Sequence, residues 1–235
     1  MTDGTDAGFD CGFVIAPGVT QLDFTGAMQM LNPLPGARLH LVARTLDPVA
    51  TDCGFAVTPT ATFDDCPPLD LMLAPGGRPG YVESAIADAA LLAFLVKQAR
   101  TARYVTSVCT GALILGAAGL LKGKRATTHW AAHAELERVG AIPVKARVVR
   151  DGNLITAGGV TAGIDFGLVI AAEIAGETAA KACQLINEYD PAPPFDAGHP
   201  DRASDELMAV IAARMGDAMP SMRAALDRAM ERAPA

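Results

Sequence analysis

YVTSVCTG, residues 104–111, joins a strand-forming run to a cysteine, a threonine and a glycine, and the small-residue helix pattern of residues 111–118 follows at once. At such a strand-to-helix turn a side chain is lifted out of the sheet, and the first unpaired N–H groups of the helix point at it. The positive end of the helix dipole favours thiolate over thiol. We therefore expect Cys109 to be an activated nucleophile with a lowered pKa, and Gly111 to permit the crowded turn.

Strands and helices alternate on both sides of this turn. Short apolar runs, several of them ended by Pro or Gly, predict strands over residues 9–16, 38–44, 69–74 and 104–108. Apolar residues at helical spacing predict helices over residues 23–31, 82–99, 111–118, 160–175 and 177–187. Asp151-Gly152 predicts a hairpin between residues 146–149 and 153–156. The pattern predicts an α/β fold, a flavodoxin-like sandwich with a mainly parallel sheet, helices on both faces and a cysteine nucleophile elbow.

The chain after residue 188 follows a different pattern. Residues 189–200 contain four prolines, so this segment is expected to run over the surface. Apolar residues at helical spacing then predict two short amphipathic helices, whose apolar faces would pack on the chain's own body or form a dimer contact. Because 235 residues fit one large core, we expect a single domain over 1–235, with a core at 9–200 and a C-terminal helical extension at 201–235.

Composition and charge exclude several classes of protein. The formal net charge of -7 and the lack of a Lys/Arg cluster disfavour nucleic acid as a partner. No apolar run approaches membrane-spanning length, and the first ten residues carry three aspartates and no basic residue, unlike a secretory signal. The five cysteines form no CxxC pair, which fits neither a disulfide framework nor a thiolate zinc site. We expect a cytoplasmic protein.

Several stretches of the chain resemble the ThiJ/PfpI superfamily, which is class I glutamine amidotransferase-like. Residues 107–111 (SVCTG) match its nucleophile elbow, and residues 74–77 (APGG) match its glycine turn. Within the superfamily the chain is most similar to the isocyanide hydratases. That likeness extends over roughly residues 9–200 and is carried by residues 17–26 (PGVTQLDFTG), 109–130 (CTGALILGAAGLLKGKRATTHW) and 150–166 (RDGNLITAGGVTAGIDF).

The resemblance implies an enzyme that adds water to a small-molecule isocyanide, needs no cofactor or metal, and is a homodimer. It implies that a carboxylate after the first strand faces Cys109, and Asp23 stands at that position. From spacing alone, Asp23 would instead be the N-cap of the helix that begins there. The residue after Cys109 is Thr110 and not histidine, which weakens a Cys-His acyl-transfer mechanism and makes Asp23 the expected general acid and base.

The same resemblance implies the supporting groups of the site. The backbone N–H groups of Gly77 and Thr110 would be oxyanion-type donors, and the Thr110 hydroxyl would orient water or Asp23. Val160 matches a position whose backbone contacts the thiol. A carboxylate beside a thiolate has its pKa raised by like charge and desolvation, so Cys109 and Asp23 would share a proton.

The sequence offers three alternatives to this interpretation. The first is a metal site at His129 and His133, which stand four residues apart near Glu135. These residues lack a third ligand at a diagnostic spacing, and residues 127–130 match a structural turn, so no metal site is expected. One alternative function is a ligand-sensing module like those fused to AraC-type transcription regulators. The other is a glyoxalase or deglycase-type cysteine enzyme, which usually has a glutamate where Asp23 stands and a histidine nearby.

Overall fold

The computed structural model describes residues 8–216 and 218–232, so residues 1–7, on which the expectation about a signal sequence partly rests, lie outside it. Its strands are β1 (Phe9–Val14), β2 (Ala37–Ala43), β3 (Val49–Ala50), β4 (Ala56–Val57), β5 (Ala61–Thr62), β6 (Leu71–Ala74), β7 (Tyr104–Val108), β8 (Arg125–Ala126), β9 (Ile142–Pro143), β10 (Val148–Asp151) and β11 (Leu154–Ala157). Its α-helices are α1 (Gln21–Leu31), α2 (Pro79–Ala87), α3 (Ala89–Ala99), α4 (Gly111–Ala117), α5 (Ala162–Ala175), α6 (Glu177–Ile186), α7 (Asp205–Met215) and α8 (Ala218–Arg232). Two 3-10 helices cover Trp130–Val139 and Pro200–Arg202.

The main sheet has seven strands in the order β10-β11-β7-β6-β1-β2-β5. All neighbouring pairs are parallel except β10 and β11, which form the predicted hairpin. Leu71, Met72 and Leu73 follow one another in β6 with no exposed surface, so both faces of the sheet are covered. The predicted α/β sandwich with a mainly parallel sheet is confirmed.

The order of strands gathers three loops at one edge of the sheet. From β1 the chain passes to β2 on one side and later to β6 on the other, which makes the gap between β1 and β6 a topological switch point. In open α/β sheets, ligands bind outside the carboxyl ends of the strands at such a point. The start of α1, the glycine turn after β6 and the cysteine after β7 all lie there, because β1, β6 and β7 are parallel neighbours.

The predicted helix over residues 82–99 is wrong in one respect, because the chain forms two helices, α2 and α3, bent by 78°. The break lies at Asp88, whose carboxylate accepts hydrogen bonds from the N–H groups of Ala90 and Leu91, both at 3.0 Å. These bonds cap a new helix and end the old one. Within the described residues no single helix is long and apolar enough to cross a membrane; α2 and α3 pass that test only when counted together.

The C-terminal helices differ from each other in how they pack. Residues 189–199 form no helix or strand, as predicted, and lie on the surface. Helix α8 packs on α2 and on the 3-10 helix at Trp130–Val139, and its Met222 and Leu226 have no exposed surface. Helix α7 has no buried side chain. The apolar face of α8 is therefore used on the chain's own body, whereas α7 sits above the carboxyl edge of the sheet.

Candidate functional site

Cys109 lies at the carboxyl end of β7 in a left-handed backbone conformation, with a φ of 57°. For a residue with a Cβ this conformation costs about 1–2 kcal/mol, so neighbouring groups must hold it. The Cys109 N–H donates to the carbonyl oxygens of Ala157 (3.1 Å) and Gly158 (2.9 Å). The Thr128 hydroxyl donates to the Cys109 carbonyl oxygen at 2.8 Å. The crowded strand-to-helix turn expected from residues 104–111 is present, and hydrogen bonds hold the backbone on both sides of the Cys109 side chain.

Two glycines let the elbow and the turn after β6 approach each other. A Cβ added at Gly111 would lie 1.9 Å from the Ala74 carbonyl oxygen. A Cβ added at Gly76 would lie 2.5 Å from the Thr110 nitrogen and 2.9 Å from Asp23 Oδ2. Neither glycine has a positive φ, so glycine is required here by close approach of backbone rather than by an unusual conformation.

Asp23 is the third residue of α1 and has no exposed surface. Its Oδ2 accepts a hydrogen bond from the Gly76 N–H at 2.7 Å. Its Oδ1 is buried without a donor of ordinary geometry, and the Cys109 thiol also hydrogen-bonds to this carboxyl. The N-cap alternative is wrong, because Thr20 occupies that position. Asp23 thus lies inside the first helical turn, facing the cysteine.

The ionisation of the Cys109–Asp23 pair is controlled by burial. Burial raises the pKa of Asp23 to about 7, although hydrogen bonds from the Gly76 N–H and the Cys109 thiol oppose the rise. Burial and the negative charge of Asp23 raise the pKa of the Cys109 thiol to about 12. The expectation of a lowered thiol pKa is therefore wrong: hydrogen bonds from Val160 and Thr110 do lower it, but desolvation is larger. Around neutral pH the pair retains a proton that either group can use.

Thr110 and Gly77 bond to each other in the structure. The Gly77 N–H donates to Thr110 Oγ1 at 2.9 Å, and the Thr110 hydroxyl donates to the Gly77 carbonyl oxygen at 2.8 Å. The Gly77 N–H is therefore engaged and is not the free oxyanion donor expected from the sequence. The Thr110 hydroxyl likewise bonds to the glycine turn rather than to Asp23. This reciprocal pair fixes the turn after β6 against the start of α4.

Two backbone N–H groups are directed at the sulfur. The N–H of Thr110 and the N–H of Val160 both hydrogen-bond to the Cys109 side chain, and each lowers its pKa. Val160 is itself in a strained conformation, with a φ of 30°. Two of the three non-glycine residues with positive φ in the described chain thus touch each other at the thiol. Strain concentrated at one point, with N–H groups aimed at one atom, is typical of a site that stabilises developing negative charge.

A cavity of about 500 Å³ opens above the sulfur. Cys109, Thr110, Gly77 and Val160 line it, whereas the fully buried Asp23 lies behind the thiol and does not. Six apolar side chains of its lining come from the C-terminal helices: Leu207, Met208, Ile211, Met215, Met219 and Met222. The predicted site residues are therefore brought together under an apolar roof that the sequence did not reveal.

His129 also lines this cavity, although the sequence analysis placed it only in a structural turn. Its Nδ1 accepts a hydrogen bond from the Ala131 N–H at 3.2 Å, and burial lowers its pKa. The ring is therefore neutral around pH 7, with its proton on Nε2. In the part of the chain that the structure describes, no group of three His, Cys, Asp or Glu side chains is arranged to hold a metal ion.

Comparison with known proteins identifies relatives of this chain. A model of the DJ-1/PfpI family matches residues 11–173. An isonitrile hydratase from Pseudomonas putida is 55% identical over 197 residues, which cover 84% of this chain and 86% of that protein. The crystal structure of a ThiJ/PfpI family protein from Pseudomonas syringae is 43% identical and superposes with a TM-score of 0.87, covering 97% of this chain and 96% of the other.

A regulator is also similar to part of the chain. The HTH-type transcriptional regulator GbdR from Pseudomonas aeruginosa is 32% identical over 164 residues. These residues cover 66% of this chain but only 43% of the regulator. The likeness to the isonitrile hydratase is greater in identity and extends over more of both proteins.

Proposed function

The chain belongs to the DJ-1/PfpI family, and we propose that it is an isocyanide hydratase, which adds water to an organic isocyanide to give an N-substituted formamide. The observation that carries this proposal is the buried Cys109–Asp23 pair, which retains one proton beneath an apolar cavity. The reaction needs a nucleophile and a proton delivered to the same carbon atom. A thiol beside a carboxyl of raised pKa supplies both.

In the first half of the reaction, the Cys109 sulfur attacks the terminal carbon of the isocyanide. As the sulfur attacks, the S–H bond breaks and the thiol proton passes to Asp23. Asp23 delivers a proton to the lone pair of the isocyanide carbon. A C–S bond and a C–H bond form, and the product is a thioimidate, R–N=CH–S, on the enzyme. No atom leaves in this step. The pKa of Asp23 near 7 suits a group that must give up a proton here and accept one later.

In the second half, water adds to the thioimidate carbon while Asp23 accepts a proton from it. Asp23 passes this proton to the nitrogen, which leaves a hydroxyl on the carbon. The C–S bond then breaks, the hydroxyl proton returns to the Cys109–Asp23 pair through Asp23, and the oxygen becomes the carbonyl of the formamide. Sulfur leaves as a thiolate, which the N–H groups of Thr110 and Val160 stabilise until the pair is protonated again. The chain's own groups, the isocyanide and water balance every step, so the proposal requires no cofactor.

Each site residue has a role in this proposal. Cys109 is the nucleophile and Asp23 the general acid and base. Thr110 and Val160 act through their backbone N–H groups, which replaces the oxyanion donor first expected at Gly77. Gly77 positions Thr110 by accepting and donating a hydrogen bond. The core at residues 9–200 carries the chemistry and residues 201–235 form an extension.

The test is to incubate the protein with cyclohexyl isocyanide and follow loss of the isonitrile stretch in the infrared and appearance of the formamide. Wild type is expected to turn over, and Cys109→Ala and Asp23→Asn are expected to lose activity. Cys183→Ala is the matched control, because Cys183 is also buried but lies in α6. An inactive wild type would contradict the function. An active Cys109→Ala would contradict the mechanism.

The same assay separates the alternatives. A sensing module, which the likeness to GbdR favours, would bind the isocyanide without consuming it. A glyoxalase or deglycase would turn over an α-oxoaldehyde or its adducts, whereas this site has Asp23 and Thr110 at the positions where those enzymes usually have Glu and His. We also propose that the protein acts in the cytoplasm, as its composition and N-terminal sequence led us to expect, and that it is a homodimer, as the resemblance implies. The exposed apolar side chains of Leu185 and Ile186 offer a surface for a second copy.

A further inference from the structure

Helix α7 presents an apolar face that no part of the protein core covers. Its partly buried side chains are Met208, Ile211 and Met215, which recur at helical spacing, and Met219 continues the row into α8. The other side chains of α7 are exposed, and none is buried. An amphipathic helix normally packs such a face on the core. Here the same residues line the cavity above Cys109, so the face is turned toward empty space.

Helix α8 anchors this arrangement to the rest of the molecule. Arg223 donates to Oε1 of the buried Glu135 at 2.6 Å, and Arg138 donates to Asp227 at 2.8 Å. Arg138 also lies 2.8 Å from Oε2 of Glu135, so one buried carboxylate is shared by two arginines. Together with the buried Met222, these contacts hold the far end of the cavity lining in place. The part of the cavity lining that belongs to α8, Met219 and Met222, is thus fixed to the rest of the molecule.

We propose that this roof, formed by Leu207, Met208, Ile211, Met215, Met219 and Met222, binds the N-substituent of the isocyanide and selects bulky, uncharged hydrocarbon substituents. The proposal rests on the hydratase function proposed above. An isocyanide group is linear, so when its carbon approaches the sulfur, its substituent projects away from the floor of the cavity. The substituent therefore contacts the side chains of the roof. A cavity of about 500 Å³ has the size of pockets that enclose whole small organic molecules.

The side chains of the roof indicate the class of substituent. None of the six is charged or carries a hydrogen-bond donor, so an ionic or strongly polar group would lose its hydration there without compensation. Four of the six are methionines, whose flexible side chains adapt to differently shaped apolar groups. We therefore expect rings and branched alkyl groups to be accepted together. Side chains with polar groups also line the cavity, namely Thr20, Arg78, His129, Trp130 and His199. The charge of Arg78 makes an anionic substituent the competing possibility to be tested.

The experiment measures kcat/KM of the full chain for methyl isocyanide, cyclohexyl isocyanide and isocyanoacetate. Ile211→Trp fills the space below the roof, and Val210→Trp is its matched control, because Val210 lies on the same helix but is exposed and does not line the cavity. For wild type we expect cyclohexyl isocyanide to be the best of the three substrates. For Ile211→Trp we expect the ratio of cyclohexyl to methyl kcat/KM to fall by about tenfold or more, since each methylene contact is worth about tenfold or more. The control is expected to keep the wild-type ratio.

The other outcomes distinguish failure of the proposed function from failure of the proposed role of the roof. If wild type hydrates none of the three isocyanides, the proposed function itself is wrong. If wild type is active but prefers isocyanoacetate or treats methyl and cyclohexyl isocyanide alike, the function stands and the role of the roof is refuted. Equal loss of both activities in Ile211→Trp also refutes it, because the helix would then only support the fold. A circular-dichroism spectrum like that of wild type is the independent measure that Ile211→Trp is folded.

Discussion

Replacing Asp23 with asparagine is expected to abolish turnover and yet to stabilise the folded protein at neutral and alkaline pH. Burial raises the pKa of this carboxyl from the ordinary 3.8 to about 7. At about 1.4 kcal/mol per pH unit, the folded state disfavours the ionised form by about 4 kcal/mol. An asparagine amide has nearly the same shape, keeps an oxygen for the Gly76 N–H and carries no charge to bury. The Asp23→Asn protein therefore avoids the free-energy cost of burying a carboxyl that ionises, which wild type needs for its chemistry.

The dependence on pH follows from proton counting. Below pH 3.8 the carboxyl is protonated in both states, and wild type and variant should differ little. Between about pH 4 and 7 the folded wild type holds a proton that the unfolded chain has lost, so its free energy of unfolding falls as the pH rises. The advantage of Asp23→Asn should grow over this interval and level off above about pH 7.

Equilibrium unfolding in urea at pH 4, 5, 6, 7 and 8 measures this difference directly. Most other titrating groups cancel because they are common to both proteins. Cys109 is the exception, because Asp23 raises its pKa, but desolvation is the larger cause and keeps the thiol protonated in both folded proteins over this pH range. Asp64→Asn, at an exposed position, is the control and should change the free energy of unfolding by no more than about 0.5 kcal/mol at any pH. A pH-independent difference, or an Asp23→Asn protein that is less stable than wild type at pH 8, would refute the reasoning.

Two further predictions concern packing. Gly111→Ala would put a Cβ 1.9 Å from the Ala74 carbonyl oxygen. This variant should lower the free energy of unfolding by about 3 kcal/mol or more, or prevent folding. The control is Gly80→Ala, in open space on a helix, which should raise the free energy of unfolding by up to about 1 kcal/mol. Thermal denaturation compares these two variants, and equal stability would contradict the close approach of Gly111 to the Ala74 carbonyl oxygen. Arg223→Met should cost about 2 kcal/mol in the same measurement by removing one of two arginines from the buried Glu135, and an unchanged stability would mean that this contact does not anchor α8.

Much of the sheet could be predicted because buried parallel strands are apolar runs with clear ends. β7 lies where the pattern placed it, and β1 and β2 differ from their predicted ranges by one or two residues. The break at Asp88 was missed because apolar positions continue at helical spacing on both sides of it. The sequence did contain a signal, an aspartate followed by a helix-forming run, which is typical of an N-cap. β3, β4, β5, β8 and β9 have two residues each, too few for any alternation to be detected.

The candidate site, too, could be predicted from the sequence only in part. The elbow at Cys109 depends on local sequence and could be predicted, whereas the direction of its pKa shift depends on how deeply the thiol is buried, which local sequence does not give. Hydrogen bonds from Val160 and Thr110 lower the pKa of the thiol, but desolvation raises it by more. The place of His129 beside the cavity depends on residues some 70 to 90 positions further along the chain, which line the same cavity. No pattern around the histidine itself indicates that contact.

The roof and the chemistry come from separate parts of the chain. Cys109, Asp23 and the groups that support them precede residue 161, whereas the roof begins after residue 206 and belongs to two helices outside the sheet. Mutations in the roof therefore replace no residue of the elbow and do not touch Asp23. Over evolutionary time such a layout lets a lineage change the compounds it consumes while the reaction itself is inherited intact. It also gives a protein engineer a natural boundary: a library confined to α7 and the start of α8 would sample new substrates without risking the elbow.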